Sequence, residues 1–196
     1  DLHMVGKDIL RFHAVYWPAF LMGAGLEPPK RVFAHGWWTN EGQKISKSSG
    51  NGISIDEWLT YASTESLSYF MFQKPKTAKR LHFDVIPKAV DEYHQQLRAF
   101  DGQDAKARAN NPVFHIHRGQ PPASTMVVSF SMLLNLASAA GAEDKDAMWG
   151  FIRRYAPDAT PESHPDLDQS AGFAVRYYED FVKPTKTYRA PTDMER

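Results

Sequence analysis

Apolar residues at three- and four-residue spacing predict a helix over residues 7–25. Ile9, Phe12, Tyr16 and Phe20 form one stripe, and Leu10, His13, Trp17 and Leu21 run beside it, so the helix is apolar almost all round. Pro18 should kink it, because its ring opposes the carbonyl of Ala14. Gly25 fits the C-terminal stop, and Pro28 and Pro29 forbid continuation. The run 31–38 (RVFAHGWW) then reads as a buried strand. Helix, strand and a following polar loop predict the tail of a parallel α/β domain, whose ligands collect beyond the carboxyl ends of its strands.

Downstream the period is helical. Ser54 is an N-cap candidate, with Glu57 completing a capping box for a helix over 55–61. A second helix is expected over 66–72, started by Ser63, Thr64 and Glu65, then a basic connector over 74–80. Pro87 suits the first turn of a helix reaching Phe100. Residues 101–111 are polar and expected to fray, and 112–122 reads as a loop. Further helices are expected over 127–140 (ended by Gly141), 147–155 and 170–182, with loop beyond and a last helix beginning near Thr192. The fold class is therefore mainly α with a small α/β part. Its expected domains are 1–52, a connector of helices over 53–100 and a helical region over 101–196.

Composition narrows this picture a little. Twenty-three basic and 23 acidic residues balance in 196, which argues against an overall nucleic-acid coat but leaves local patches open. Without cysteine there is no disulfide and no thiolate zinc site. No apolar run reaches the roughly 20 residues of a membrane span, so a cytoplasmic protein with no membrane partner is the default expectation. The chain starts at Asp1, which suggests a piece of something longer.

The candidate chemistry lies in residues 42–51 (GQKISKSSGN). Two lysines, three serines and two glycines fall within ten residues. Glycines let the backbone approach a ligand closely, lysines meet a polyphosphate as mobile charges, and hydroxyls and free N–H groups add donors. The Walker spacing is absent, and a solvated surface loop is the plain alternative. The order Lys44-Ile45-Ser46-Lys47-Ser48 resembles the KMSKS signature of class I aminoacyl-tRNA synthetases, with Ile45 in place of methionine. That resemblance implies ATP with Mg2+, Lys44 and Lys47 as the catalytic charges (Lys47 above all), and Ser46 and Ser48 beside the phosphates.

The resemblance then divides. Gly6-Lys7-Asp8-Ile9, Phe12-His13, Trp17-Pro18-Ala19 and Ala34-His35-Gly36-Trp37 resemble the methionyl-tRNA synthetases. This implies Gly6 and Asp8 at the adenosine ribose, and Ile9, Phe12, His13 and Trp17 around the amino-acid side chain. From about residue 43 onward the chain resembles class I lysyl-tRNA synthetases. Residues 50–59 (GNGISIDEWL), 65–67 (ESL), 70–76 (FMFQKPK), 84–87 (DVIP), 91–93 (DEY) and 149–152 (WGFI) carry that likeness. The two meet inside the lysine loop. Together they imply ligation of lysine to tRNA, with methionine as the alternative amino acid and a non-catalytic nucleotide- or tRNA-binding module as another reading. The HIGH element of the family is expected upstream of Asp1.

Other candidates carry less. His13 amid aromatics also fits a core histidine, and Asp8 also suits a helix start. Lys74, Lys76, Lys79 and Arg80 could meet a tRNA backbone or simply be solvated. His115 and His117 lack a third metal ligand at a useful spacing, so no metal site is assigned. Trp37 and Trp38 cannot both face a core, so one should be exposed or line a cleft. The stripe Phe130, Leu133, Leu134 and Leu136 reads as core.

Overall fold

The computed structural model describes residues 1–40, 43–45 and 52–187, with backbone alone at 43 and 44. They are mostly helical with two small sheets, and the chain divides into two units.

The first unit comprises residues 1–54 and 70–85. Strand β1 (Leu2–Gly6) pairs in parallel with β2 (Arg31–His35), in a register that sets Gly6 opposite His35. The hydrophobic pattern gives no warning of β1, because its partner strand lies on the far side of the helical segment. That segment is not one uniform helix. A 3-10 turn (Lys7–Ile9) leads to a π-helical turn (Phe12–Tyr16) and then to α1 (Trp17–Gly23). The wide turn is closed by Trp17 N–H donating to Phe12 O, and Pro18 falls in the first positions of α1. The backbone stays helical through Tyr16 and Trp17, so the missing N–H of Pro18 falls inside a continuous helical run, and the wide turn just before it is the distortion that goes with it. Gly25 stops the helix with φ at +69°, while the N–H groups of Leu26 and Gly25 reach back to the carbonyls of Leu21 and Met22. That is a Schellman ending, and glycine meets its left-handed residue without strain.

The expected strand over 31–38 ends at His35. Gly36 N–H turns away to Pro75 O at 2.8 Å, and a Cβ on Gly36 would stand 2.1 Å from Thr77 O. After this close approach Trp38 opens β3 (Trp38–Asn40), which pairs antiparallel with β4 (Gln43–Lys44) and parallel with β5 (Lys79–Arg80). Part of the expected basic connector is thus a short strand.

The second unit comprises residues 55–69 and 86–196. It holds α2 (Ile55–Tyr61), most of α3 (Thr64–Phe72), α4 (Ile86–Phe100), α5 (Ala105–Asn110), α6 (Pro112–Ile116), α7 (Phe130–Ala140), α8 (Lys145–Tyr155) and α9 (Pro165–Tyr177). Ile86, Ala89, Val90, Tyr93, His94, Leu97 and Phe100 of α4 are all buried, a three-and-four spacing that lays one face on the core. Tyr69 and Val113 join Tyr93, Leu97 and Phe100 in one cluster. Phe130, Leu133 and Leu136 of α7 are buried, as the pattern predicts. Each such side chain adds about 1.5–3 kcal/mol on leaving water. Trp58 is fully buried with its indole N–H donating to Ser66 Oγ at 3.3 Å, which leaves no orphan donor.

The segment expected to fray is ordered instead. Asp104 accepts Ala107 N–H at the start of α5, and Arg108 donates to the carbonyls of Phe100 and Asp101. Asn111 is buried and caps α6 through Val113 N–H, with Pro112 in the first turn, so part of the expected 112–122 loop is helical. Asn111 Nδ2 also donates to Gln96 O and Gln103 Oε1. The last two helices begin earlier than expected, α8 behind the cap of Asp144 and α9 at Pro165. Residues 178–182 continue α9 as a π-helical turn. The helix expected from Thr192 lies outside the described residues.

Candidate functional site

Parallel pairing of β1 and β2 brings two carboxyl ends together, and a cavity of about 130 Å3 opens there. Gly6, Lys7 and Asp8 line it from β1, His35, Gly36, Trp37 and Trp38 from beyond β2, and Ile45 from the lysine loop. Gly6 has an ordinary extended backbone, so its small size is what matters: a Cβ would stand 2.6 Å from Asp8 Oδ1. His35 Nδ1–H donates to Gly36 O at 2.9 Å, and its ring stacks on Trp38, centroids 5.2 Å apart. Trp38 keeps 37 % of its surface exposed while facing this cavity, the cleft position expected of one of the two tryptophans. Glycines at strand ends, a carboxylate and stacked rings are what a nucleoside with its phosphates would meet.

Ile9, Phe12, His13 and Trp17 lie on the helical segment just after Asp8. Phe12 stacks on Trp17 (6.3 Å, 23°) and meets His13 edge-on at 5.4 Å. His3 on β1, which the sequence pattern does not single out, meets His13 edge-on at 5.5 Å. Both rings carry a buried Nδ1 with no hydrogen-bond partner among the described residues. Ile9, Phe12 and Trp17 are 47 %, 45 % and 38 % exposed, and Val15, Tyr16, Phe20 and Met22 are exposed too. The helix read as apolar almost all round thus leaves many of its apolar side chains exposed within the described residues, and exposed apolar faces mark interaction surfaces.

The model of the family described as tRNA synthetases class I (K) matches residues 1–120. The chain belongs to that family. As a class I tRNA synthetase chain it is 63 % identical to a lysine–tRNA ligase of Roseobacter denitrificans, across all of this chain and 37 % of that protein. It is 45 % identical to a lysine–tRNA ligase of Rickettsia rickettsii, across all of this chain and 38 % of that one. The synthetase chain thus spans little more than a third of the length of these relatives. One family accounts for both the stretch with methionyl likeness and the stretch with lysyl likeness. Among solved structures it is similar to Mycobacterium tuberculosis methionyl-tRNA synthetase bound by methionyl-adenylate, at 28 % identity over 91 % of this chain and 34 % of that one, with a TM-score of 0.44.

Of the synthetase loop, Lys44 is placed by its backbone in β4, and Ile45 N–H donates to Trp38 O at 3.0 Å. Ser46, Lys47 and Ser48 lie outside the described residues. The four basic residues of the connector separate into two kinds. Lys74 and Lys76 are exposed, Lys76 with its ammonium 6.0 Å from the ring centre of Phe33. Lys79 turns inward: its ammonium donates to the carbonyls of Phe70 and Met71 at the end of α3, lies over the Phe70 ring, and is pushed down to about 8 by burial. Arg80 pairs with Asp84 at 3.0 Å. Lys79 is thus committed to closing a helix, which hydrophobic periodicity could not reveal. His115 donates to Ala109 O and His117 meets the Tyr93 hydroxyl, so the two imidazoles serve different partners. Among the described residues no group of three or more His, Asp or Glu could hold a metal ion, and no helix is long and apolar enough to cross a membrane.

Proposed function

We propose that this chain forms the ATP-facing end of the catalytic domain, and the helices after it, of a class I lysine–tRNA ligase. The observation that carries the reading is that Ile45, central in the lysine loop, lines the same cavity as Gly6 and Asp8. Lys44 and Lys47, flanking Ile45, would reach the polyphosphate of an ATP whose ribose rests at Gly6 and Asp8. Ser46 and Ser48 would add donors to the phosphates.

In that reaction a carboxylate oxygen of lysine attacks the α-phosphorus of ATP, and pyrophosphate leaves with the electron pair of the broken P–O bond. The aminoacyl adenylate then passes its acyl group to a hydroxyl of the tRNA terminal ribose, releasing AMP. The lysines transfer no proton; their charge stabilises the departing pyrophosphate, and the cavity positions the reactants. Magnesium would arrive on ATP, its ligands chiefly phosphate oxygens. The exposed apolar face of the helical segment would pack against the further part of the domain present in the longer relatives. Such a ligase would work with tRNA in the cytoplasm.

A second reading, methionine as the amino acid, is favoured by the stacked pair Phe12 and Trp17. Aromatic walls suit a thioether, and an ammonium buried there would need an acidic partner. The test is ATP–pyrophosphate exchange by a protein extended to the relatives' length, with lysine and methionine in turn. Exchange with lysine alone supports the proposal, and exchange with methionine alone selects the second reading. ATP binding with no exchange for either would leave a nucleotide-binding module.

A further inference from the structure

The helical unit contains a cavity of about 240 Å3 that shares no lining residue with the nucleotide cavity. Four segments meet around it: Glu65 from α3, Tyr93 and His94 from α4, His117 from just beyond α6, and Asp166 and Ser170 from α9. Asp166 is fixed in place, since its Oδ2 accepts Thr125 N–H at 2.8 Å while its own N–H donates to Thr125 Oγ1 at 2.9 Å. Among the described residues its Oδ1, and the carboxylate of Glu65, have no partner. Both carboxylates lie within electrostatic reach of Tyr93 and His94.

The group that singles this cavity out is Ser170. It is 5 % exposed, lines the cavity, and its hydroxyl has no hydrogen-bond partner among the described residues. The oxygen keeps contact with the solvent of the cavity, so its lone pairs are open to a ligand bearing N–H groups. Nothing lining the cavity offsets the two carboxylates, because no lysine or arginine is among its walls. His94 adds no charge at neutral pH: its Nδ1 meets Ser124 Oγ at 3.2 Å, and burial pushes it down to about 4 despite the nearby carboxylates. His117 is engaged with the Tyr93 hydroxyl at 3.0 Å. Phe173 supplies an apolar wall against which methylenes, or the charge itself, can rest.

We propose that this cavity binds a small aliphatic amine in its ammonium form, held by Glu65, Asp166 Oδ1 and Ser170 Oγ with its carbon chain against Phe173. The proposal stands apart from the reading of the nucleotide cavity, since neither needs the other. The probe is n-butylammonium, added to the whole chain and followed by calorimetry and by the imidazole resonances of His94 and His117. Saturable shifts are expected with n-butylammonium and none with n-butanol or butyrate. Glu65→Gln, at an exposed position, and Ser170→Ala, which removes one hydroxyl from a helix, are each expected to weaken binding about tenfold without altering the thermal transition. Equal shifts with n-butanol, or unchanged affinity in Glu65→Gln, would overturn the proposal.

Discussion

Asp91 Oδ1 accepts the backbone N–H of Phe130 at 2.6 Å, so a carboxylate on α4 closes the start of α7 from across the helical unit. Its other oxygen takes Ser131 N–H at 3.1 Å and the Ser131 hydroxyl at 2.5 Å. Local capping is also present, since Ser129 Oγ accepts Met132 N–H. The distant carboxylate therefore adds a tie between two helices to the usual worth of a cap. Asp91→Ala is expected to lower stability by about 1–2 kcal/mol, and Ser129→Ala by less. Chemical denaturation of both variants checks this, and an equal loss in the two would show that the tie is worthless.

His94 gives the helical unit a pH dependence of definite sign. The folded ring titrates at about 4, mainly through burial, against 6.5 for a free histidine. Asp166, Asp91 and Glu65 oppose that depression and Arg98 reinforces it. Between those two pH values the unfolded chain holds the extra proton. Stability is thus fully present above about pH 6.5 and falls as pH drops toward about 4, by about 3 kcal/mol in all. His94→Gln is expected to flatten that slope relative to the parent chain. Identical slopes in the two would remove His94 from the explanation.

Gly36 is where backbone meets backbone, and no side chain fits. Gly36→Ala would drive a methyl into Thr77 O and is expected to cost about 1–3 kcal/mol. Because Gly36 also lines the cavity proposed for ATP, affinity for a non-hydrolysable ATP analogue should fall in the same variant. Retained stability together with retained affinity would contradict the close approach.

Lys47→Ala, in a protein of the relatives' length, is expected to slow adenylate formation by roughly 10²–10³ with less effect on ATP binding. Lys44→Ala should cost less. Single-turnover rates measured beside ATP dissociation constants separate the two effects, and a loss confined to binding would refute the transition-state role.

The basic connector can be tested by salt. Lys74→Ala with Lys76→Ala should reduce the salt dependence of tRNA binding, by roughly 0.9 in slope for each phosphate of a double-stranded stem that is no longer neutralised. Lys79→Ala should leave the slope unchanged and lower stability instead, because its charge is spent on the end of α3. A reversed outcome would return Lys79 to the RNA surface.

Helices whose cores repeat at three and four residues were legible in advance, α4 and α7 above all. What escaped is held by polar ties rather than by apolar spacing. Asp104 and Asn111 cap α5 and α6, and Arg108 fastens the turn before them, none of which leaves a hydrophobic period. Strand β1 escaped because parallel pairing joins residues far apart in the chain. At the candidate site, Gly6 and Asp8 stood out only through the family resemblance of the residues around them, and the fold lines one cavity with both. His3 has no such local mark, and it becomes visible only when β1 lies beside the helical segment. The cavity around Ser170 draws on four separate segments, so no window of sequence could display it.

The wide turn at Phe12–Tyr16 sets which rings can touch. On a regular α-helix, residues five apart point about 140° away from each other, so Phe12 and Trp17 would face different sides. The extra residue in the π-helical turn winds the chain back and lets the two rings lie 23° from parallel. The aromatic wall is thus a phase effect, encoded by one residue's worth of slack in the winding. Deleting Ala14 or Val15 would leave Phe12 and Trp17 four positions apart, about 40° round a regular α-helix, so the wall would persist and only the wide turn would be lost.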